Sequence, residues 1–159
     1  MRVIAVDPGY DRLGVAVMEM VGGKEKIIFS DCIKTDKTKT LNERCFEIGT
    51  VFTHLLSTYQ PDTLAIETIF FNQNKTTVIG VSGVRGMLIY LAQLHQCQVY
   101  EFGPQEVKVA ITGYGKSDKT AVIDMVTRLV PEAPQKALDD EYDAIAIGVT
   151  CLASYGRSL

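Results

Sequence analysis

The sequence predicts an α/β fold built on a mixed five-stranded sheet with helices on both faces. Three observations point there. Three β-biased runs open the chain, two of them separated by Gly22-Gly23. Two further short strand patterns then alternate with long helical ones, and prolines punctuate the helical segments that follow. A meander followed by strand and helix alternation implies a mixed sheet covered by helices.

Each element has a local cause. Arg2–Asp7 is a short apolar run with a β-branched bias, ended by the turn signal Pro8-Gly9, and reads as a buried strand. Leu13–Met20 and Lys26–Thr35 read as the next two strands of an antiparallel meander. From Thr40 to Tyr59, apolar Leu41, Cys45, Ile48, Val51, Phe52 and Leu55 recur at helical spacing, with Thr40 and Glu43 as a capping box and Pro61 as the stop. Thr63–Glu67 is another buried strand. The segment from Thr77 to Gln96 is a long, largely apolar helix carrying Gly80, Gly83 and Gly86, which lower helix propensity but permit close packing. Gln98–Phe102 supplies a fifth strand, and Gly103-Pro104 opens a short helix to Ile111. After the polar loop Thr112–Ser117 come helices over Asp118–Leu129 and, beyond Pro131 and Pro134, Ala137–Tyr155. This order matches the ribonuclease H-like architecture.

The 159 residues suit a single domain spanning 1–159, long enough for one substantial core. A composition of 47% apolar and 22% charged residues excludes a disordered chain. No apolar run approaches the roughly 20 residues needed to cross a bilayer, and the start runs straight into a strand pattern, so neither a membrane span nor a signal peptide is expected. Cys32, Cys45, Cys97 and Cys151 show no CxxC spacing, and His54 and His95 are the only histidines, which argues against zinc. The cysteines read as small buried residues in a reducing compartment, with the cytoplasm as the expected location.

Acidic residues sit where a core-facing strand end would not want them. Asp7 closes the first strand, Glu67 closes the fourth, and Asp140 and Asp143 lie three apart near the start of the last helix, sharing a face. Asp139 could reach that face as well. Each has a plainer explanation. Asp7 could cap backbone amides in an Asp-Pro-Gly turn, and Glu67 could sit on an edge strand beside a lysine or arginine. Asp139, Asp140 and Glu141 could be a solvated first turn favoured by the helix dipole. Their joint occurrence favours a shared divalent cation. Oxygen ligands without spaced His or Cys point to Mg²⁺ or Mn²⁺. A pair of such ions about 3.5–4 Å apart activates water and stabilises a leaving alkoxide, which is phosphodiester hydrolysis.

The net charge of −3 by itself argues against a nucleic-acid ligand. Two divalent ions would take it from −3 to +1, and Lys34, Lys37, Lys39 and Arg44 gather against only Asp36 and Glu43. Local sign matters more than the total.

The stretches Val3-Ile4-Ala5-Val6-Asp7-Pro8-Gly9, Ala65-Ile66-Glu67-Thr68-Ile69-Phe70 and Asp140-Glu141-Tyr142-Asp143-Ala144-Ile145-Ala146 resemble the three acidic motifs of the RuvC family of crossover (Holliday) junction endodeoxyribonucleases. Gly83-Val84-Arg85-Gly86 and Pro104-Gln105-Glu106-Val107-Lys108 extend the resemblance over nearly the whole chain. It implies a homodimer that resolves four-way DNA junctions by symmetric nicks in recombination and repair, with two Mg²⁺ ions per site and Mn²⁺ as a substitute. It also implies a partnership with the RuvA and RuvB branch-migration complex. By motif position Asp7, Glu67, Asp140 and Asp143 take the catalytic, metal-binding roles, with Asp140 favoured over Asp139.

Phe70 and Phe71 follow Glu67 directly and are candidates for stacking on unpaired bases, typically worth about 1–3 kcal/mol per base. Both could instead fill the core. An aromatic at the Phe70 position is similar to a wedge at the junction centre in RuvC-like proteins. Lys108, Lys116 and Lys119 bracket a loop where Gly113 and Gly115 allow close approach to phosphate, and positions similar to Lys108 and Lys119 lie near DNA and metals in the family. Lys75 and Arg85 are further DNA-binding candidates. Three other functions compete. One is a related nuclease acting on ribosomal RNA precursors, and another a binding-only junction protein. The third is an actin-like or sugar-kinase-like nucleotide module, suggested by Asp7-x-Gly9-x₄-Gly14, although 159 residues are too few for its two halves.

Overall fold

In a computed structural model, which describes residues 1–69 and 75–156, strands β1 (Arg2–Asp7), β2 (Arg12–Val21) and β3 (Lys24–Lys34) form the expected meander. The β2–β3 turn uses Gly22 and Gly23 at φ +59° and +78°, a conformation that favours glycine. Helix α1 (Leu41–Tyr59) starts at Thr40, whose hydroxyl and Glu43 complete the capping box read from the sequence. Strand β4 (Thr63–Glu67), helix α2 (Lys75–Leu94), strand β5 (Gln98–Phe102) and helices α3 (Pro104–Thr112), α4 (Lys119–Leu129) and α5 (Asp139–Tyr155) follow.

The sheet order is β3-β2-β1-β4-β5. β1 pairs antiparallel with β2 and parallel with β4, while β4 pairs parallel with β5. β1 and β4 are therefore interior strands, and an apolar run is what a strand covered on both faces requires. This removes the edge-strand explanation for Glu67.

Alternation along the strands sorts two cores. Val3, Ala5, Ala16, Met18, Ala65 and Phe102 pack with α3, α4 and α5, while Ile4, Val6, Val15, Val17, Leu64 and Ile66 pack with α1 and α2. One more step of the two-residue period puts Asp7 and Glu67 on the α5 face, at neighbouring ends of parallel strands.

Small side chains let α5 approach that face closely. A Cβ at Gly148 would lie 2.6 Å from Met18 Sδ and 3.3 Å from Ala5 Cβ. A Cβ at Gly14, which pairs with Asp7 in the β1–β2 register, would lie 1.8 Å from the Asp140 carbonyl oxygen. The start of α5 thus rests on the sheet beside Asp7 because residue 14 has no side chain. Gly9 has a similar reason, since a Cβ there would meet the Arg12 carbonyl at 2.3 Å. Tight packing accounts for both glycines of the supposed phosphate hairpin.

Element boundaries differ modestly from expectation. α5 begins at Asp139 rather than Ala137, after Leu138, which offers no side-chain cap. Three acids in the first turn, favoured by the helix dipole, stand in place of a cap. α2 starts at Lys75, two residues earlier than expected.

Substitution Gly14→Ala should cost about 1–3 kcal/mol or more in urea unfolding, because the obstructing atom is backbone and only a shift of α5 relieves it. Gly83→Ala, where a Cβ meets nothing within 4 Å, should cost nothing comparable.

Candidate metal centre

Sheet and helix bring four carboxylates toward one place. Asp7 and Glu67 come from the ends of β1 and β4, and Asp140 and Asp143 from the first turns of α5. Burial pushes the Asp7 carboxyl up to about 8, and the charges of Glu67, Asp143 and Asp140 add to the rise while Lys119 opposes it. Burial also raises Glu67, helped by Asp143 and opposed by Lys119 and Lys108. Asp143 is raised by burial as well, with a hydrogen bond from Lys119 pulling the other way. Buried carboxyls that also raise one another mark groups that would gain from a shared cation.

Two cations of the protein already stand beside the helix acids. Lys119 Nζ lies 2.9 Å from Asp143 Oδ2, and Arg12 Nε lies 3.1 Å from Asp140 Oδ2. The Arg12 approach lacks hydrogen-bond geometry, so the buried Asp140 Oδ2 has no donor. Among the described residues no three acidic, histidine or cysteine side chains are gathered tightly enough to hold an ion as they stand. Repulsion among the acids and pairing with separate cations both favour that spread. The donor set nevertheless fits a hard divalent ion: oxygen ligands only, one buried oxygen without a partner, and carboxyls whose charged forms lack compensation.

The plainer explanations for these acids are only partly met. Among the described residues no backbone amide donates to the Asp7 carboxylate, so it does not act as a turn cap. Asp139 does behave as a dipole-favoured surface acid: its side chain is 58% exposed, 3.5 Å from Lys119, whereas that of Asp140 is 19% exposed and close enough to raise Asp7. α5 turns Asp140 and Asp143 inward together and leaves Asp139 outside.

A cleft of about 230 Å³ opens beside the acids, lined by Glu67, Asp143, Lys108, Lys119, Pro104 and Val107 among others. Lys108 and Lys119 therefore converge on the acids as expected, while Lys116 is exposed in the loop beyond α3 and does not line the cleft. Arg85 is committed elsewhere. Its Nε donates to the Glu67 carbonyl at 3.2 Å and its Nη2 to the Glu101 carboxylate, tying α2 to the ends of β4 and β5. Phe70 and Phe71 lie outside the described residues, and Lys75 opens α2 with its side chain outside them. Of the basic group around residues 34–44, Arg44 is buried against Asp11, Tyr10 and Thr35, and Lys39 pairs with Glu47. Sequence reasoning missed Arg12. The signal was present, because Arg12 is two residues from Gly14 on β2 and alternation gives both the α5 face.

A five-stranded mixed sheet in this order, with carboxylates at its strand ends, defines a ribonuclease H-like protein. A family model described as Crossover junction endodeoxyribonuclease RuvC matches residues 3–151, and the chain belongs to that family. It is 38% identical over 157 residues to the crossover junction endodeoxyribonuclease RuvC of Alkaliphilus metalliredigens, covering 99% of this chain and 95% of that one. With its counterpart from Thermosipho melanesiensis it shares 40% identity over 153 residues, covering 96% and 97%. The structure of Thermus thermophilus RuvC in complex with a Holliday junction substrate superimposes with a TM-score of 0.89 at 28% identity, covering 99% of this chain and 95% of that one.

The raised carboxyl of Asp7 sets a stability test. Folded Asp7 keeps its proton up to about pH 8 while the unfolded residue loses it near 3.8, so stability falls as pH rises through that window. In EDTA, Asp7→Asn should therefore gain on the parent protein progressively from pH 4 to pH 8, by an amount on the order of 1–3 kcal/mol. Urea unfolding at several pH values measures it, and a pH-independent difference would contradict the buried, repelled carboxyl.

Proposed function

We propose that this RuvC-family endonuclease resolves Holliday junctions by metal-assisted phosphodiester hydrolysis at Asp7, Glu67, Asp140 and Asp143. The observation that carries the reading is the convergence of two strand-end acids and two helix acids on the α5 face beside a cleft with two lysines. Those four carboxylates would hold two Mg²⁺ ions, with Mn²⁺ able to substitute. Bound there, the ions supply activation of the attacking water and stabilisation of the leaving alkoxide.

The chain's own residues do the remaining work. Apolar packing of β1 and β4 fixes the acids at adjacent strand ends, and Gly14 lets α5 deliver its pair. Lys119 opposes the rise that burial imposes on the Asp143 carboxyl, and Lys108 faces the same cleft, where either ammonium can steady charge on the phosphate. Phe70 and Phe71 follow Glu67 in sequence, and we propose them for base stacking at the junction centre. Lys75 and Lys116 remain candidates for backbone contacts, and Arg85 acts by holding the Glu67 backbone.

Cleavage of two strands by symmetric nicks calls for a pair of sites, and α2 offers a face for a homodimer. Ile79, Tyr90 and Leu94 are 72%, 61% and 61% exposed along it, with Gly83 and Gly86 open between them. Small residues flanked by apolar ones suit close helix packing against a second copy. Family membership supports a partnership with the RuvA and RuvB motor. No helix among the described residues is long and apolar enough to cross a membrane. The four cysteines are unpaired, which suits the reducing cytoplasm proposed as the location.

Asp7→Asn and Glu67→Gln should each lower cleavage of a synthetic four-way junction in Mg²⁺ by at least about 10³-fold while leaving junction binding intact. Retained cleavage would remove these residues from the centre. Tyr90→Arg should shift the protein to monomer in analytical ultracentrifugation without loss of helical signal. An unchanged dimer would place the interface elsewhere.

A further inference from the structure

A second cleft is lined by Gly9, Tyr10, Asp11, Arg12 and Lys37 with Asp140 itself. One carboxylate thus borders both the metal centre and this groove. The loop that forms the groove is firmly built. Buried Arg44 donates to the Tyr10 carbonyl at 3.1 Å, pairs with Asp11 and lies 5.0 Å over the Tyr10 ring, and Thr35 donates to the same carbonyl. A Cβ on Gly80 of α2 would meet the Tyr10 ring at 2.7 Å, so the ring is enclosed from that side too.

Arg12 leaves this loop as the first residue of β2. Its side chain is 48% exposed, and its Nε is 3.1 Å from an Asp140 oxygen that it does not hydrogen-bond. Among the described residues no protein group accepts a hydrogen bond from its guanidinium. Charge alone holds it beside Asp140, and its fork of donors suits a phosphate. Arg12 stands on β2, on one side of β1, whereas Lys108 and Lys119 line the cleft beside Glu67 of β4 on the other.

We propose that Arg12 is an exchange cation: it neutralises Asp140 while the carboxylates are without ions, and passes to a backbone phosphate flanking the scissile one once Asp140 is engaged. The inference rests on the proposed metal centre. It gives Arg12 two effects of opposite sign, because the same guanidinium competes with the ions and attracts the DNA strand. A residue that merely supported the fold would weaken both kinds of binding or neither.

The test uses the full chain with Arg12→Ala and, to preserve the packing of the stem, Arg12→Gln. Calorimetric titration with Mn²⁺ at pH 8 without DNA should show binding about two- to fivefold tighter than in the parent protein. Binding to a synthetic four-way junction, with Ca²⁺ in place of Mg²⁺, should weaken, and the slope of log K against log salt should become shallower by about one. Arg12→Lys should restore the slope. The exchange role is overturned if either measurement fails to move in its stated direction. An Asp140→Asn control separates the two readings: unchanged Mn²⁺ binding there defeats the metal centre itself. Weakened binding there with no response at Arg12 defeats only the exchange.

Discussion

Burial of carboxylates at one edge of the sheet, sharpened by the charge of their neighbours, is the constraint around which this protein is arranged. Asp7 is the focus, since it is the most strongly shifted acid and every other member of the group raises it. A fold that tolerates such a cluster needs compensation from elsewhere, because isolated buried charge is far costlier than any one contact can offset. Part of that compensation is visible in Lys119 at Asp143 and Arg12 at Asp140. The remainder is what a divalent cation would supply. The site is thus costly to the apo fold for the same reason that it would suit a metal.

Close approach of α5 to the sheet makes the cluster geometrically possible. Gly14 and Gly148 remove side chains at two points of contact, and Ala5, Ala16 and Ala65 keep the intervening face low. The uninterrupted burial from Ala144 to Leu152 anchors the helix. Its acidic first turns can then overhang the strand ends. On the opposite face α2 performs a related service through Arg85, which holds the backbone of Glu67 from behind. Residues that face water in a linear reading are thereby turned into supports for the site.

Family membership and geometry address different questions. Similarity over nearly the whole chain fixes the class of reaction. The arrangement of charges shows how the chain prepares for it. Lys108 and Lys119 line the cleft beside Glu67 and Asp143, and Arg12 and Lys37 line the one beside Asp140, so positive charge borders the acids in both clefts despite a net charge of −3. Local placement outweighs the overall balance.

Sequence by itself determined the order of strands and helices, because apolar periodicity, Gly22-Gly23, Pro61 and the Thr40–Glu43 box are local signals read over a few residues. It also singled out Asp7, Glu67, Asp140 and Asp143, since acids at the ends of core-facing strands and on one helix face violate the surrounding pattern. Tertiary structure alone decided which acids meet. Asp139 and Asp140 are adjacent in sequence and chemically identical, yet a turn of about 100° per residue sends one to the surface and one toward Asp7. Pairing likewise decided the basic residues: Arg44 and Arg85 became internal ties, and Arg12 came to Asp140, because long side chains find partners through sheet register and helix packing, which no local pattern encodes.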